Sequence, residues 1–505
     1  MTERQSTSDD QAPDDFAGEP RLSAAEQKLG GIPTDPGKDP MRNTYHVAFV
    51  AALGGLLYGY DTGVISGTLI QIAADFGIEH EYVLFGTTIP GHNIQETITA
   101  SILLGAVIGA LGAGPFANRF GRRLTIITVA LIFAVGVVLA GFSPGPLAMI
   151  GSRLFLGLAV GGCTQTIPTY IAELSPPDRR GSFVTFFNVA IGVGILSAAL
   201  VNVIFSEVDW HWKIVVAIVP AIILIIGMIP LPESPRWLVN HKFLNAARLV
   251  LRWVRPSGKI ADREVREIQH VVKLEAESQS GPWSAMGEKW LRPALFAGIA
   301  VAIFTQITGL EMMIYYTPTI LTDVGFPPEL ALWANVGVGV VYLVMTTTGK
   351  FIVDKVGRRR LTLVMLPGAA VSIAAFGILF LTDDHPNPVL ALALLLLFMF
   401  FQAGGIQVVG WLVGSEVYPL KIRSAATGLH AAALWGSNLL ITITALSLVA
   451  ALTLGGAMLV YAALNVIAWL VIYFRVPETK GRPLEEIEES LKEGTFLPLQ
   501  EKRNA

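Results

Sequence analysis

The sequence predicts an all-α membrane protein in which twelve transmembrane helices form two six-helix halves, accompanied by short cytoplasmic helices. The first observation behind this prediction is the composition: 52% of the 505 residues are hydrophobic and only 15% are charged. A soluble protein of this length needs far more charged residues to cover its surface. The 50 glycines also fit transmembrane helices, in which small residues let backbones approach closely.

The second observation is a series of apolar runs, each of the roughly 20 residues that a bilayer-spanning helix needs. Twelve runs lie near 45–70, 95–116, 124–142, 146–172, 183–205, 212–231, 293–321, 330–352, 361–381, 388–414, 423–451 and 455–475. They divide the chain into an N-terminal tail over 1–41, a first half over 42–236, a linker over 237–292, a second half over 293–476 and a C-terminal tail over 477–505.

The segments outside the halves differ in character. The N-terminal tail is rich in Asp, Pro, Ser and Gln, so we expect it to be disordered and cytoplasmic. The linker contains "KFLNAARLVLRWV", in which apolar residues recur at three- and four-residue spacing between charged ones. This periodicity predicts amphipathic helices.

The third observation is an internal repeat. "ANRFGRR" after the second run returns as "VDKVGRR" after the eighth, "AELSPPDRR" returns as "SEVYPLKIR", and "PESPR" returns as "PETKG". The three landmarks recur in order about 240 residues later, and an even number of spans per half keeps such repeats parallel. A substrate site between the halves near the bilayer midplane is typical of this arrangement, which works by alternating access.

The distribution of basic residues predicts the orientation. Connections after every second run carry arginine or lysine, as in "NRFGRR" and "DKVGRRR", whereas opposite connections such as "LTDDHPN" contain neither. The positive-inside rule therefore places both termini in the cytoplasm. We expect a multi-pass protein of the plasma membrane, surrounded by the lipid bilayer.

One carboxylate lies inside the first run, in "GGLLYGYDTGVISG", where Asp61 is the only formal charge between Tyr45 and Ile72. A carboxylate at the centre of a membrane helix costs about 2.5–3.5 kcal/mol on insertion scales. Arg153, in "GSRLFLGLAVGG" of the fourth run, is equally isolated. If the Asp61–Arg153 distance changes during transport, the proton affinity of Asp61 changes with it, which predicts proton coupling. The alternative is a static buried ion pair.

Several function classes find no support in the sequence. The single Cys163 excludes an intrachain disulfide and a cysteine zinc cluster. No P-loop, nucleophile–base pair or metal-ligand pattern is present, so we expect no enzyme activity, no cofactor and no metal. A net charge of −3 gives no indication of a nucleic-acid partner.

The motifs "GGLLYGYDTGVISG", "GPFANRFGRR", "YIAELSPPDRRG", "PESPRWL", "DKVGRRR", "SEVYP" and "VPETKGRPLEEI" together resemble the sugar porter family of the major facilitator superfamily. The resemblance runs from about residue 45 to 490 and implies the major facilitator fold. Asp61 after "GY" resembles the proton-linked members. The resemblance therefore implies symport of a proton with a small neutral sugar, polyol or cyclitol, and we expect a monomer.

The same resemblance assigns a cytoplasmic gate and a substrate site. The gate consists of paired charges at helix ends, namely Arg122, Glu173, Arg180, Asp354, Arg358, Glu416 and Arg423. The alternative is that these arginines only obey the positive-inside rule, which leaves the two glutamates unexplained. Asn118 stands where the second half has Asp354, so the gate is not fully symmetric.

The substrate residues that the resemblance implies are amides and aromatic rings, which suit sugar hydroxyls and the apolar face of a pyranose. They are Asn188, Gln306, Glu311, Tyr315, Trp411, Trp435 and Asn438. The sequence departs from the family pattern where Glu311 and Tyr342 replace amides. Two other functions stay open: an uncoupled facilitator, and a non-transporting nutrient sensor on the same fold.

Overall fold

The computed structural model describes residues 19–33, 39–84, 86–177, 179–277, 282–383, 386–419, 422–482 and 484–498. Apart from one antiparallel hairpin, the secondary structure of these residues is helical. The hairpin pairs Glu81–Leu84 with Thr87–Pro90 and lies between the first two long helices.

Six membrane-spanning segments form the first half. Span 1 begins at Pro40, whose fixed φ suits a first helical position, and the Asp39 side chain caps it by accepting a hydrogen bond from the Arg42 amide. Spans 1 to 6 are Pro40–Asp75, Gly91–Phe120, Arg122–Gly141, Pro146–Leu174, Arg180–Ile204 and the pair Trp210–Val215 with Ile218–Met228.

The second half repeats the first with two interrupted spans. Span 7 is Arg292–Ile307 with Leu310–Asp323, and span 10 is Pro388–Gly404 with Ile406–Glu416. Spans 8 and 9 are Pro328–Val356 and Arg358–Thr382. The remaining helix, Arg423–Arg475, contains spans 11 and 12.

A break at Thr453, where φ is 63°, divides the helix Arg423–Arg475. Ser447, close to the end of the first part, contacts the start of span 2. The second part runs back across the bundle, and its Trp469 indole donates to the Leu363 carbonyl near the start of span 9. Within the described ranges, eleven helices are long and apolar enough to cross a membrane, and the division of the last one gives twelve spans. The predicted membrane fold is confirmed.

Shorter helices lie outside the spans. They are Ala24–Gln27, Pro235–Asn240, Leu244–Val254, Gly258–Glu277, Pro282–Ala285, the 3₁₀ turn Lys289–Leu291 and Leu484–Glu493. The amphipathic linker helices pack against the first half. Arg248 pairs with Asp262 at 2.9 Å, and Arg255 pairs with Glu264 and donates to the Leu174 carbonyl at the end of span 4.

The prediction of a disordered tail up to residue 41 is wrong for residues 19–33. The Ala246 amide donates to the buried Glu26 carboxylate at 3.0 Å, and the Arg123 guanidinium donates to the Leu29 carbonyl at 2.9 Å. These contacts attach the segment to span 3 and the linker, which its polar composition alone does not reveal. Residues 1–18 and 34–38 lie outside the described residues.

The two halves are in contact in the middle of the bundle and at one of its ends. We call the end that carries Arg122 and Arg358 the basic face, and the other end the opposite face. At the opposite face, Ser447 of span 11 donates to Glu96 of span 2 from its amide at 2.7 Å and from its hydroxyl at 2.5 Å. Deeper in the bundle, Gly192 of span 5 packs on span 8. The opposite face is therefore closed.

Candidate functional site

Asp61 and Arg153 form a buried ion pair in the middle of the first half. Asp61 is 3% exposed and Arg153 is 1% exposed, and Nη2 of the arginine lies 3.3 Å from Oδ2 of the aspartate. Arg153 Nε donates to the Ile98 carbonyl of span 2 at 2.9 Å. The structure thus brings together the two charges that the sequence singles out, and it anchors the arginine on a third helix.

Span 7 is interrupted beside the midplane. Gly309 adopts φ 103°, in the left-handed region that favours glycine, between the two pieces of the span. The backbone groups freed by such a break need partners inside a membrane. Asn465 donates to the Thr308 carbonyl at 2.9 Å, and Gln402 donates to the Thr308 hydroxyl.

The break places Glu311 in the first turn of the second piece, where the helix dipole favours a negative charge. Glu311 is 4% exposed, and its carboxylate lies beside the Asn438 side chain of span 11. Tyr58, Tyr315 and Tyr342 interact electrostatically with its carboxylate. Because Tyr58 belongs to span 1, this cluster joins the two halves.

An aromatic contact crosses between the halves at the same depth. The Trp435 indole of span 11 meets the Tyr58 ring of span 1 edge to face, with 5.6 Å between ring centroids. Trp435 is 2% exposed. The structure therefore assembles Glu311, Tyr315, Trp435 and Asn438 of the predicted substrate residues around one site.

Three predicted substrate residues carry buried polar atoms that have no hydrogen-bond partner among the described residues. These atoms are Gln306 Oε1, Tyr315 OH and Trp435 Nε1. Buried polar groups in proteins nearly always have partners, so each unsatisfied one calls for an explanation. A bound molecule rich in hydroxyl groups supplies both donors and acceptors to such atoms.

Asn188 and Trp411 are not gathered into this cluster. Trp411 is 40% exposed, and its ring centroid lies 6.5 Å from that of His430. Asn188 is exposed one helical turn before Gly192, on the side of span 5 that packs against span 8. Both residues lie toward the basic face: Asn188 is eight residues after Arg180, where span 5 begins, and Trp411 is five residues before Glu416, where span 10 ends.

The predicted gate consists of two ion-pair clusters, each inside one half. Arg122 Nε lies 3.1 Å from Glu173, joining spans 3 and 4. Arg358 lies 2.7 Å from Glu416, joining spans 9 and 10, and 3.0 Å from Asp354. Of the two further gate residues, Arg180 is exposed and Arg423 is half-buried.

Sequence reasoning missed the acids that complete both clusters. Glu233 accepts from the Arg122 amide at 2.8 Å, and Glu478 accepts from the Arg358 amide at 2.8 Å. A Cβ at Gly121 would lie 2.2 Å from Glu233 Oε2, so glycine permits this approach. Both acids stand in the repeated "PES" and "PET" landmarks, which was the available signal. Burial raises the pKa of Glu233 to about 7.

Two other contributors lacked a sequence signal. Tyr58 lies within the quoted first-run motif, but its position beside Glu311 depends on how the halves pack. Glu96 stands alone in the sequence, and its partner Ser447 lies in the other half. Contacts between the halves could not be read from periodicity.

A twelve-helix bundle of two related halves, with buried polar groups between them, defines a multi-pass membrane transporter. The chain belongs to the sugar (and other) transporter family, whose pattern matches residues 47–491. It is 35% identical over 458 residues to a D-xylose transporter of Levilactobacillus brevis, covering 90% of this chain and 97% of that protein.

Two further comparisons agree. The chain is 34% identical over 468 residues to the galactose-proton symporter of Escherichia coli K12, covering 91% of this chain and 97% of the relative. The solved structure of the E. coli xylose transporter XylE, in a partially occluded inward open conformation, superimposes with a TM-score of 0.76 at 27% identity. That match covers 88% of this chain and all of the other.

Proposed function

We propose that this protein is a proton-coupled symporter that carries a small neutral sugar, polyol or cyclitol across the plasma membrane by alternating access. The observation that carries the proposal is the buried Asp61–Arg153 pair beside a polar cluster at the interface of the halves. The named activities of the relatives, D-xylose transport and galactose–proton symport, support it. We further propose a monomer with both termini in the cytoplasm, so that the basic face is cytoplasmic.

Coupling follows from the position of Asp61. A carboxylate buried in the bilayer is costly when charged, and a nearby cation offsets that cost. Movement of Arg153 relative to Asp61 changes the balance and therefore changes how tightly Asp61 holds a proton. Each unit of change in the pKa of Asp61 corresponds to about 1.4 kcal/mol. A change of a few units is therefore enough to link the proton gradient to the transport cycle.

The substrate class follows from the cluster around Glu311. Unpaired amide, phenol and indole groups at Gln306, Tyr315 and Trp435 suit a polyhydroxylated molecule. Glu311 accepts hydrogen bonds through both carboxylate oxygens and repels anions in a low-dielectric site. We expect neutral substrates to be carried, or less favourably cationic ones, and sugar acids to be excluded. Efficient uptake of glucuronate would contradict this assignment.

The clusters around Arg122 and Arg358 are proposed to gate the basic face, together with Arg180 and Arg423. If the Arg358–Glu416 pair favours closure of that face, Glu416→Gln should increase labelling of a reporter cysteine introduced at the exposed Asn188. The native Cys163 is buried, so it contributes little background. Unchanged labelling would count against the gate.

Two alternatives predict different transport behaviour. An uncoupled facilitator equilibrates its substrate but never concentrates it, and a nutrient sensor on the same fold transports nothing. The Asp61–Arg153 pair supports coupling over facilitation, because a buried ion pair seldom stabilises a protein more than apolar residues do.

The test is uptake into proteoliposomes. Labelled D-xylose, D-galactose, myo-inositol and glucuronate are offered with and without an inwardly directed proton gradient. Proton coupling predicts accumulation of a neutral compound above its external concentration only when the gradient is present. Equilibration without accumulation would indicate a facilitator, and no flux of any compound would favour a sensor.

A further inference from the structure

Glu311 differs from Asp61 in having no positively charged partner. Its carboxylate is 4% exposed and lies beside the neutral Asn438 side chain. Among the described side chains, no arginine or lysine forms an ion pair with Glu311. A buried charge without a partner costs more than a buried neutral group, so the carboxyl is cheaper to hold in its protonated form.

The groups facing Glu311 come from several helices, and most are neutral. They are Tyr58 of span 1, Tyr315 of span 7, Tyr342 of span 8 and Asn438 of span 11. Asp61 of span 1 and Arg153 of span 4 lie within electrostatic reach of Tyr315. The phenols stay protonated at neutral pH. The single cation in this set is already paired with Asp61 at 3.3 Å.

The cluster also connects the two carboxylates. Tyr58 interacts electrostatically with both Asp61 and Glu311, and Tyr315 interacts with Glu311 and Arg153. The Trp435 indole packs on Tyr58 of this cluster, and its Nε1 has no hydrogen-bond partner among the described residues, so it offers a donor to a ligand. A substrate bound there therefore touches the environment of Glu311 directly.

We propose that Glu311 is a second proton-binding site, so that each substrate molecule is carried together with two protons. The inference rests on the proposed symport function and extends it. Glu311 takes a proton from water when the site opens to the opposite face, holds it while the site is occluded, and returns it to water at the basic face. The proton neutralises the carboxylate during the step in which hydration is lost.

The test measures the proton-to-substrate ratio from the reversal of net flux in proteoliposomes. The probe is whichever of labelled D-xylose, D-galactose and myo-inositol the wild-type protein accumulates. With the membrane potential clamped at zero and one pH unit across the membrane, each coupled proton balances about a tenfold substrate gradient. We expect net flux to reverse at about a hundredfold gradient for the wild type and about tenfold for Glu311→Gln.

This readout is thermodynamic, so a loss of affinity in Glu311→Gln does not alter it. Glu311→Asp keeps a titrating group and should retain the hundredfold reversal, and Asp323→Asn, at the end of the same span, should behave as wild type. Reversal at a tenfold gradient in the wild type, or at an equal gradient in wild type and Glu311→Gln, would overturn the second site while leaving symport intact. Absence of any accumulation would instead refute the proposed function.

Discussion

The two halves of the molecule agree at the basic face and differ at the midplane. At the basic face each half has an arginine that pairs with a glutamate of the next helix, Arg122 with Glu173 and Arg358 with Glu416. In each, the glutamate also accepts a hydrogen bond from a hydroxyl, that of Ser234 in the first half and of Thr479 in the second. The two halves therefore share the same arginine–glutamate pair and the same type of hydroxyl donor.

At the midplane the halves have diverged. The first half has a continuous span 1 whose Asp61 is neutralised by Arg153, whereas the second half has a span 7 broken at Gly309 with Glu311 lacking a cation. The difference suggests a division of labour. We propose that the duplicated contacts hold the helix ends of each half together, and that the features that are not duplicated bind the proton and the substrate.

The largest expected effect concerns the unduplicated Glu311. Glu311→Ala removes two acceptor oxygens from beside the Asn438 side chain. A hydrogen bond contributes about 0.5–1.5 kcal/mol, and about 1.5–3 kcal/mol when one group is charged, so the loss of two acceptors should lower transport by at least about tenfold. Glu311→Gln, which keeps the shape, should weaken apparent affinity more mildly. Initial uptake rates across substrate concentrations check both, and full activity in Glu311→Ala would contradict the assignment.

The next effect concerns stability near the Arg122 cluster. Because burial raises the pKa of Glu233 from 4.5 to about 7, folding favours its protonated form. Its contribution is fully present below pH 4.5 and is lost as the pH rises through 7, amounting to about 3 kcal/mol. Thermal unfolding of the detergent-solubilised protein between pH 4.5 and 8 should show this decline, and Glu233→Gln should flatten it. An unchanged curve in the variant would contradict the burial argument.

A smaller effect separates the two arginine–glutamate pairs. Arg122 has Glu173 as its carboxylate partner and otherwise donates to the Ala117 carbonyl, whereas Arg358 also contacts Asp354. Glu173→Gln should therefore destabilise the protein by about 1–3 kcal/mol, and Glu416→Gln by less. Melting temperatures of the two variants measure this directly. Equal losses would show that the extra carboxylate makes no difference.

The smallest effect comes from making the halves alike. Asn118→Asp places a carboxylate four residues before Arg122, as Asp354 stands before Arg358. Both positions are exposed, so we expect a gain of less than about 1 kcal/mol in the first half and a similar loss from Asp354→Asn in the second. High salt should remove both changes. Shifts that persist in salt would indicate a contact other than an ion pair.

The sequence predicted the features that depend on local pattern. The length of the apolar runs located the spans, and isolated charges within those runs identified Asp61 and Arg153. Each of these follows from the cost of placing polar groups in a bilayer.

The remainder depends on packing between distant segments. Residues 19–33 dock because a backbone carbonyl of this segment accepts a hydrogen bond from Arg123. Tyr58 and Trp435 are in contact because the two halves pack against each other. The exposure of Trp411 depends on which face is closed. None of these contacts produces a periodic pattern in the sequence. The sequence therefore identified candidate residues but could not predict which of them lie close together.

The central claim is that Asp61 couples protons to transport, and Asp61→Asn tests it most directly. The amide keeps the side-chain shape but cannot titrate. Wild type, Asp61→Asn and the matched control Asp75→Asn, at the exposed end of span 1, are compared in proteoliposomes. We predict that Asp61→Asn loses the accumulation driven by the proton on Asp61, so that its substrate gradient falls below that of the wild type and of Asp75→Asn, while substrate counterflow continues near the wild-type rate. Uphill accumulation that is unchanged in Asp61→Asn would contradict the account.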